Sequence, residues 1–67
     1  GAPILFCYLP DLPRLFRFLS ALELLQMKGA LLCFDFQADA LQPLCGDKVE
    51  LQTIDFAEFE RRFFSNP

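Results

Sequence analysis

Nine of the 67 residues are phenylalanine, while histidine and tryptophan are absent, so the chain holds far more hydrophobic anchor than catalytic equipment. Each ring removes a large apolar area from water when it is buried. A chain of this length can bury only about 60% of the surface that its unfolded form exposes. Hydrophobic residues make up 54% of the sequence against 22% charged, which is more apolar surface than so small an interior can hide. Part of that surface is therefore expected to be covered by a protein partner or by a second copy.

The length allows one small domain over residues 1–67, and the opening Gly1-Ala2-Pro3 has the composition of a tag remnant, so the chain reads as a fragment of a larger protein. The formal charge of −3 disfavours a phosphate backbone as partner. No apolar run approaches the ~18 residues of a membrane span. Cys7, Cys33 and Cys45 form an odd set without a C-x-x-C pair, which fits neither a disulfide framework nor a zinc knuckle. An intracellular setting, cytoplasmic or nuclear, follows. Each cysteine is read as a small buried hydrophobe or an idle thiol.

Ile4 to Leu9 is apolar on both faces and bounded by Pro3 and Pro10, which suits a short strand or an extended arm. Asp11 can cap a helix over Leu12 to Lys28, with Pro13 in the first turn, where its missing N–H has no helical partner anyway. Leu12, Leu15, Leu19 and Leu22 form the core stripe of that helix, widened by Phe16, Phe18 and Leu25. Arg14, Arg17, Ala21, Leu24 and Lys28 lie on the opposite side, and Gly29 is expected to end the helix in a left-handed conformation. Ala30 to Phe36 and Lys48 to Ile54 alternate as strands and are expected to pair as an antiparallel hairpin. Between them, Gln37 to Asp47 carries Pro43 and Gly46 and reads as a loop with about one helical turn near Ala38 to Leu41. Asp55-Phe56-Ala57-Glu58 resembles a capping box and opens a last, Phe-rich helix to about Phe64. The fold expected is α+β in the order β-α-β-β-α, with a core of Leu15, Leu19, Leu22, Leu32, Phe34, Val49 and Leu51.

Acidic residues sit in polar alternation or at turns rather than in an apolar pocket, and no phosphate loop, nucleophile elbow or calcium loop is present. The sequence therefore nominates no catalytic, cofactor-binding or metal-ligating residue, and no enzyme. Ala40-Leu41-Gln42-Pro43-Leu44-Cys45, followed by Val49, resembles the elongin-binding box of ubiquitin-ligase substrate receptors, which implies Leu41 and Cys45 as inserted residues. The run Leu15-Phe16-Arg17-Phe18-Leu19-Ser20-Ala21-Leu22-Glu23-Leu24-Leu25, then Leu31-Leu32-Cys33-Phe34 and Lys48-Val49-Glu50-Leu51, resembles the last helix and wing of a winged-helix domain. In particular it is similar to the carboxyl-terminal domain of kleisins, the bridging subunits of chromosome-organising ATPase complexes. That resemblance implies a non-catalytic domain that docks on an ATPase head.

The functional expectation is a non-catalytic interaction module or scaffold that docks on a protein partner, or oligomerises, through exposed aromatic surface. Phe59, Phe63 and Phe64 on the last helix are the expected anchors and Arg14 and Arg17 a polar rim, since aromatic residues and Arg commonly carry interface energy. Phe56 and Phe59 are expected to complete the core, and one of Phe63 and Phe64 to be exposed. The alternative is a winged-helix nucleic-acid-binding or chromosome-complex domain, with Arg14, Arg17 and Lys28 on phosphates; its wing, Gln37 to Asp47, holds no Lys or Arg.

Overall fold

Prolines 3 and 10 bracket the first extended segment, and in the computed structural model, which describes residues 2–64, strand β1 occupies Ile4–Cys7. Gly1, where the tripeptide read as a tag remnant begins, lies outside the described residues, as do residues 65–67. Asp11 then caps helix α1 (Leu12–Leu25), its carboxylate accepting the Arg14 N–H at 3.1 Å. The helix stops three residues short of Lys28. Gln26 takes the left-handed conformation (φ 52°, ψ 44°), and the N–H groups of Gln26 and Met27 donate back to the Glu23 and Leu22 carbonyls at 3.3 and 3.0 Å. This is a Schellman-type end built on a glutamine.

Gly29 therefore does not cap α1; it opens strand β2 (Gly29–Phe34) for a different reason. A Cβ at this position would stand 2.5 Å from Leu22 Cδ1 and 2.9 Å from Phe18 Cζ. Any larger residue would require the Leu22 and Phe18 side chains to shift away from the strand. Gly29→Ala is expected to cost about 1 to 3 kcal/mol through overpacking, read as a lower urea midpoint; an unchanged midpoint would mean that Leu22 and Phe18 yield freely.

After β2 comes a 3₁₀ turn at Asp35–Gln37, tied down by the Phe34 N–H donating to the Gln37 side-chain carbonyl at 2.9 Å. Helix α2 (Ala38–Cys45), strand β3 (Val49–Ile54) and helix α3 (Phe56–Phe63) follow. The mixture of helices and strands in one small domain agrees with the expected class, but the strand directions do not. β1, β2 and β3 form one sheet in that order and both pairings are parallel, Ile4 standing beside Gly29, Gly29 beside Val49 and Phe34 beside Ile54. There is no hairpin. The chain between Phe34 and Val49 is long enough for the dozen or so residues that a parallel crossover needs, and α2 is that crossover. The order is therefore β-α-β-α-β-α.

α2 forms despite Pro43 in its interior. The carbonyl left without a donor is that of Asp39, an exposed residue that water can reach. Leu41 and Cys45, one turn apart, are buried, so tertiary burial outweighs the propensity that had argued for a loop. Gly46 ends this helix at φ 65°, ψ −167°, a region essentially reserved for glycine.

Right-handed crossovers between successive parallel strands put both connecting helices on one face. The core shows it: Leu15 and Leu22 of α1, Leu41 and Cys45 of α2, and Leu31, Cys33 and Val49 of the sheet form one cluster, with Phe6, Tyr8, Phe18, Leu19 and Leu51 packed at its margin. The expected core chose the other face of β2. Leu32 is buried and Phe34 half-buried, but both point away from α1, while Leu31 and Cys33 point toward it. A central parallel strand is covered on both faces.

Candidate interaction surface

Helix α3 starts at Asp55, whose carboxylate accepts the Glu58 N–H at 2.7 Å, and so the first half of the expected capping box is present. The helix turns back over the sheet face opposite α1 and α2. Phe59 docks there against Phe34, ring centroids 5.1 Å apart, and with Cys7, Leu32 and Ile54 it lines an apolar cleft of about 60 Å³. That volume is far below the roughly 300 Å³ at which small-molecule pockets begin.

From Phe59 the rings continue in two directions. Phe63 on α3 and Phe64 at its C-terminal cap lie 5.0 and 5.5 Å from it. On the other side Phe34 stacks on Phe56 at 4.5 Å and on Phe36 at 5.9 Å, and Phe36 faces Phe56 at 6.2 Å. Six rings thus form one continuous array running from the ends of β2 and β3 along α3. Most of it faces water: Phe36, Phe56 and Phe64 are 72%, 65% and 67% exposed. Phe56 therefore does not complete the core and Phe59 does so only in part. Phe63 and Phe64 are both exposed, where one was expected.

The Arg62 guanidinium stands 5.8 Å from the Phe63 ring centroid, within cation–π range, and Arg61 pairs with Glu58. The cations beside the rings are thus Arg61 and Arg62. Arg14 and Arg17 are exposed on α1, behind the opposite sheet face, with Arg14 Nε 3.9 Å from Asp11. The structure brings Phe59, Phe63 and Phe64 together and does not bring Arg14 and Arg17 to them.

Phe36 and Phe56 are the members of the array that the sequence reading did not select. A signal for them exists: Phe34-Asp35-Phe36 and Ile54-Asp55-Phe56 repeat an apolar-Asp-Phe triplet. Parallel pairing sets Phe34 beside Ile54, which brings the two following phenylalanines face to face. With antiparallel strands the triplets would have been at opposite ends.

The cysteines carry no site. Cys33 and Cys45 are buried and Cys7 is exposed, all three free. Burial pushes both buried thiols up, Cys33 also through the charges of Cys45 and Asp35, so they stay protonated and poorly nucleophilic near neutral pH. Among the described residues no cluster of three metal-ligating side chains occurs, and no helix is long and apolar enough to cross a membrane. Leu41, Cys45 and Val49, the residues of the elongin-type box, are spent on the chain's own core. No family model, curated protein or solved structure matches the chain.

Proposed function

We propose that this chain is a non-catalytic protein–protein interaction module, docking within a larger assembly through the aromatic array of Phe36, Phe56, Phe59, Phe63 and Phe64. One observation carries the reading: three large rings are each about two-thirds exposed while held against other rings, Phe36 and Phe56 stacked on Phe34 of β2 and Phe64 edge-on to Phe59. Mutual stacking immobilises them before any partner arrives, which reduces the side-chain entropy lost on binding. Arg61 and Arg62 supply a polar rim of the kind common at hot spots. The three free thiols suit a reducing, intracellular compartment.

A photo-crosslinking side chain placed at residue 56 or 64 is expected to capture one protein in cells. The same group at Leu24, 85% exposed on α1, serves as the apolar control and should not. Equal capture from Leu24, or none from the array, would remove the surface from consideration. With the partner in hand, Phe64→Ala is expected to weaken binding by roughly 1 to 3 kcal/mol while hardly moving the melting temperature of the isolated chain. Sequence-dependent, submicromolar binding of a DNA or RNA oligonucleotide would instead favour the nucleic-acid alternative.

A further inference from the structure

β1 is an edge of the sheet; it is short and flanked by Pro3 and Pro10, but Ile4-Leu5-Phe6-Cys7 itself holds no charge and no proline to block a neighbouring strand. No charged side chain occurs between Ala2 and Pro10. Leu5 is 52% exposed, and Ile4 and Cys7 are exposed beside it. The other edge, β3, is protected: Lys48 pairs with Glu23 at 3.6 Å, and Glu50 accepts a hydrogen bond from the Gln52 amide at 2.7 Å.

The hydrogen bonds define what could cover β1. The N–H groups of Ile4 and Tyr8 donate inward to the Lys28 and Leu32 carbonyls at 3.1 and 2.8 Å. Alternation then directs the N–H and C=O of Leu5 and Cys7 outward, so the missing neighbour is a strand. We propose that it is β1 of a second copy, paired antiparallel about a two-fold axis at Phe6, so that Leu5 of each copy exchanges hydrogen bonds with Cys7 of the other. The two sheets become one of twice the width.

Charge supports the self-pairing. Two chains of net charge −3 repel over most approaches, but the β1 edges meet without any charge between them. Phe18 stacks on Phe6 at 4.6 Å while Glu23 reaches Lys48 beside β3, so helical spacing turns Arg14, Ala21 and Leu25 of α1 toward the β1 side. Across the axis the two α1 helices run antiparallel there, which carries the Asp11–Arg14 pair of one copy, neutral as a pair, to the end where Lys28 of the other stands, so no uncompensated like charges meet. The prolines limit the pairing to this register. Pro3, opposite Leu9 of the other copy, offers no N–H, and the Leu9 carbonyl needs none because it already accepts the Asp11 N–H. This contact uses a different surface from the ring array and does not depend on it.

Sedimentation of the full chain over a wide concentration range tests the pairing. A reversible dimer is expected. Leu5→Pro removes one outward donor per copy and leaves the inward ladder intact, as edge prolines do, so it should weaken the dimer roughly tenfold or more. Phe64→Ala should leave it unchanged. Amide exchange of the parent chain gives a second readout, with Leu5 and Cys7 protected in concentrated solution and losing protection on dilution. A chain that stays monomeric throughout, a dimer insensitive to Leu5→Pro but lost in Phe64→Ala, or outward amides that exchange alike at all concentrations would overturn the proposal.

Discussion

Leu15→Ala is expected to unfold the domain at ambient temperature. Leu15 is fully buried and belongs, with the equally buried Leu31, to the cluster where α1 meets the central strand. Truncating such a leucine costs about 2 to 5 kcal/mol, because the lost transfer energy adds to a cavity that the surroundings only partly refill. Whole domains hold about 5 to 15 kcal/mol, and one this small stands at the low end. Circular dichroism during heating should therefore show no cooperative transition, or one far below that of the parent. Leu19→Ala, at a half-buried margin position, should cost less. If Leu15→Ala melts with the parent chain, α1 does not pack on β2 as described.

Leu41→Asp is the second substitution expected to be severe, and it tests the topology rather than a single contact. Leu41 is 3% exposed in α2, the element that a hairpin would have replaced by an open loop. In a loop the substitution would be harmless. In a crossover helix it places a carboxyl group in the core with no cation or donor arranged to receive it, at a cost of several kcal/mol or a forced protonation. Burial raises the folded-state pKa of such a group above its unfolded value near 3.9. The variant's penalty should then be smaller in acid, where the carboxyl is neutral and only the lost leucine and the buried polar group count, and grow as pH rises above about 4, the reverse of ordinary acid denaturation. Gln42→Asp, on the exposed side of the same helix, is the control and should melt close to the parent. Equal melting of both variants would argue against α2 as a buried crossover.

The starts of α1 and α3 were legible because a cap acts within one turn of its own residue. Asp11 and Asp55 accept the N–H groups three residues on, and that geometry needs nothing from the rest of the chain. The α1 end was less legible: Gly29 suggested a cap, but its lack of a Cβ answers to Leu22 and Phe18, an interhelical-strand contact invisible to local rules. The run Gly29 to Phe34 contains no polar residue, which is the mark of a strand buried on both sides. Forcing alternation on it put Leu32 and Phe34 against the helix in place of Leu31 and Cys33.

The candidate surface divides in the same way. Phe59 and Phe63 stand one turn apart on α3, so their proximity follows from helical spacing alone, whereas Phe64 meets Phe59 from the non-helical residue that caps α3. Phe36 and Phe56 meet only because β2 and β3 are parallel and in register, and Arg14 and Arg17 are separated from the rings because α1 and α3 cover opposite faces of the sheet. Composition, caps and periodicity were enough to establish two strands, an apolar extended segment at Ile4 to Leu9, a central helix, a Phe-rich closing helix and apolar surface in excess of the interior. Strand direction, the helical state of Ala38–Cys45 and the membership of the ring array came from packing. Those three depend on which distant segments bury each other, and burial energy is shared across the fold rather than carried by any residue's own neighbours in the chain.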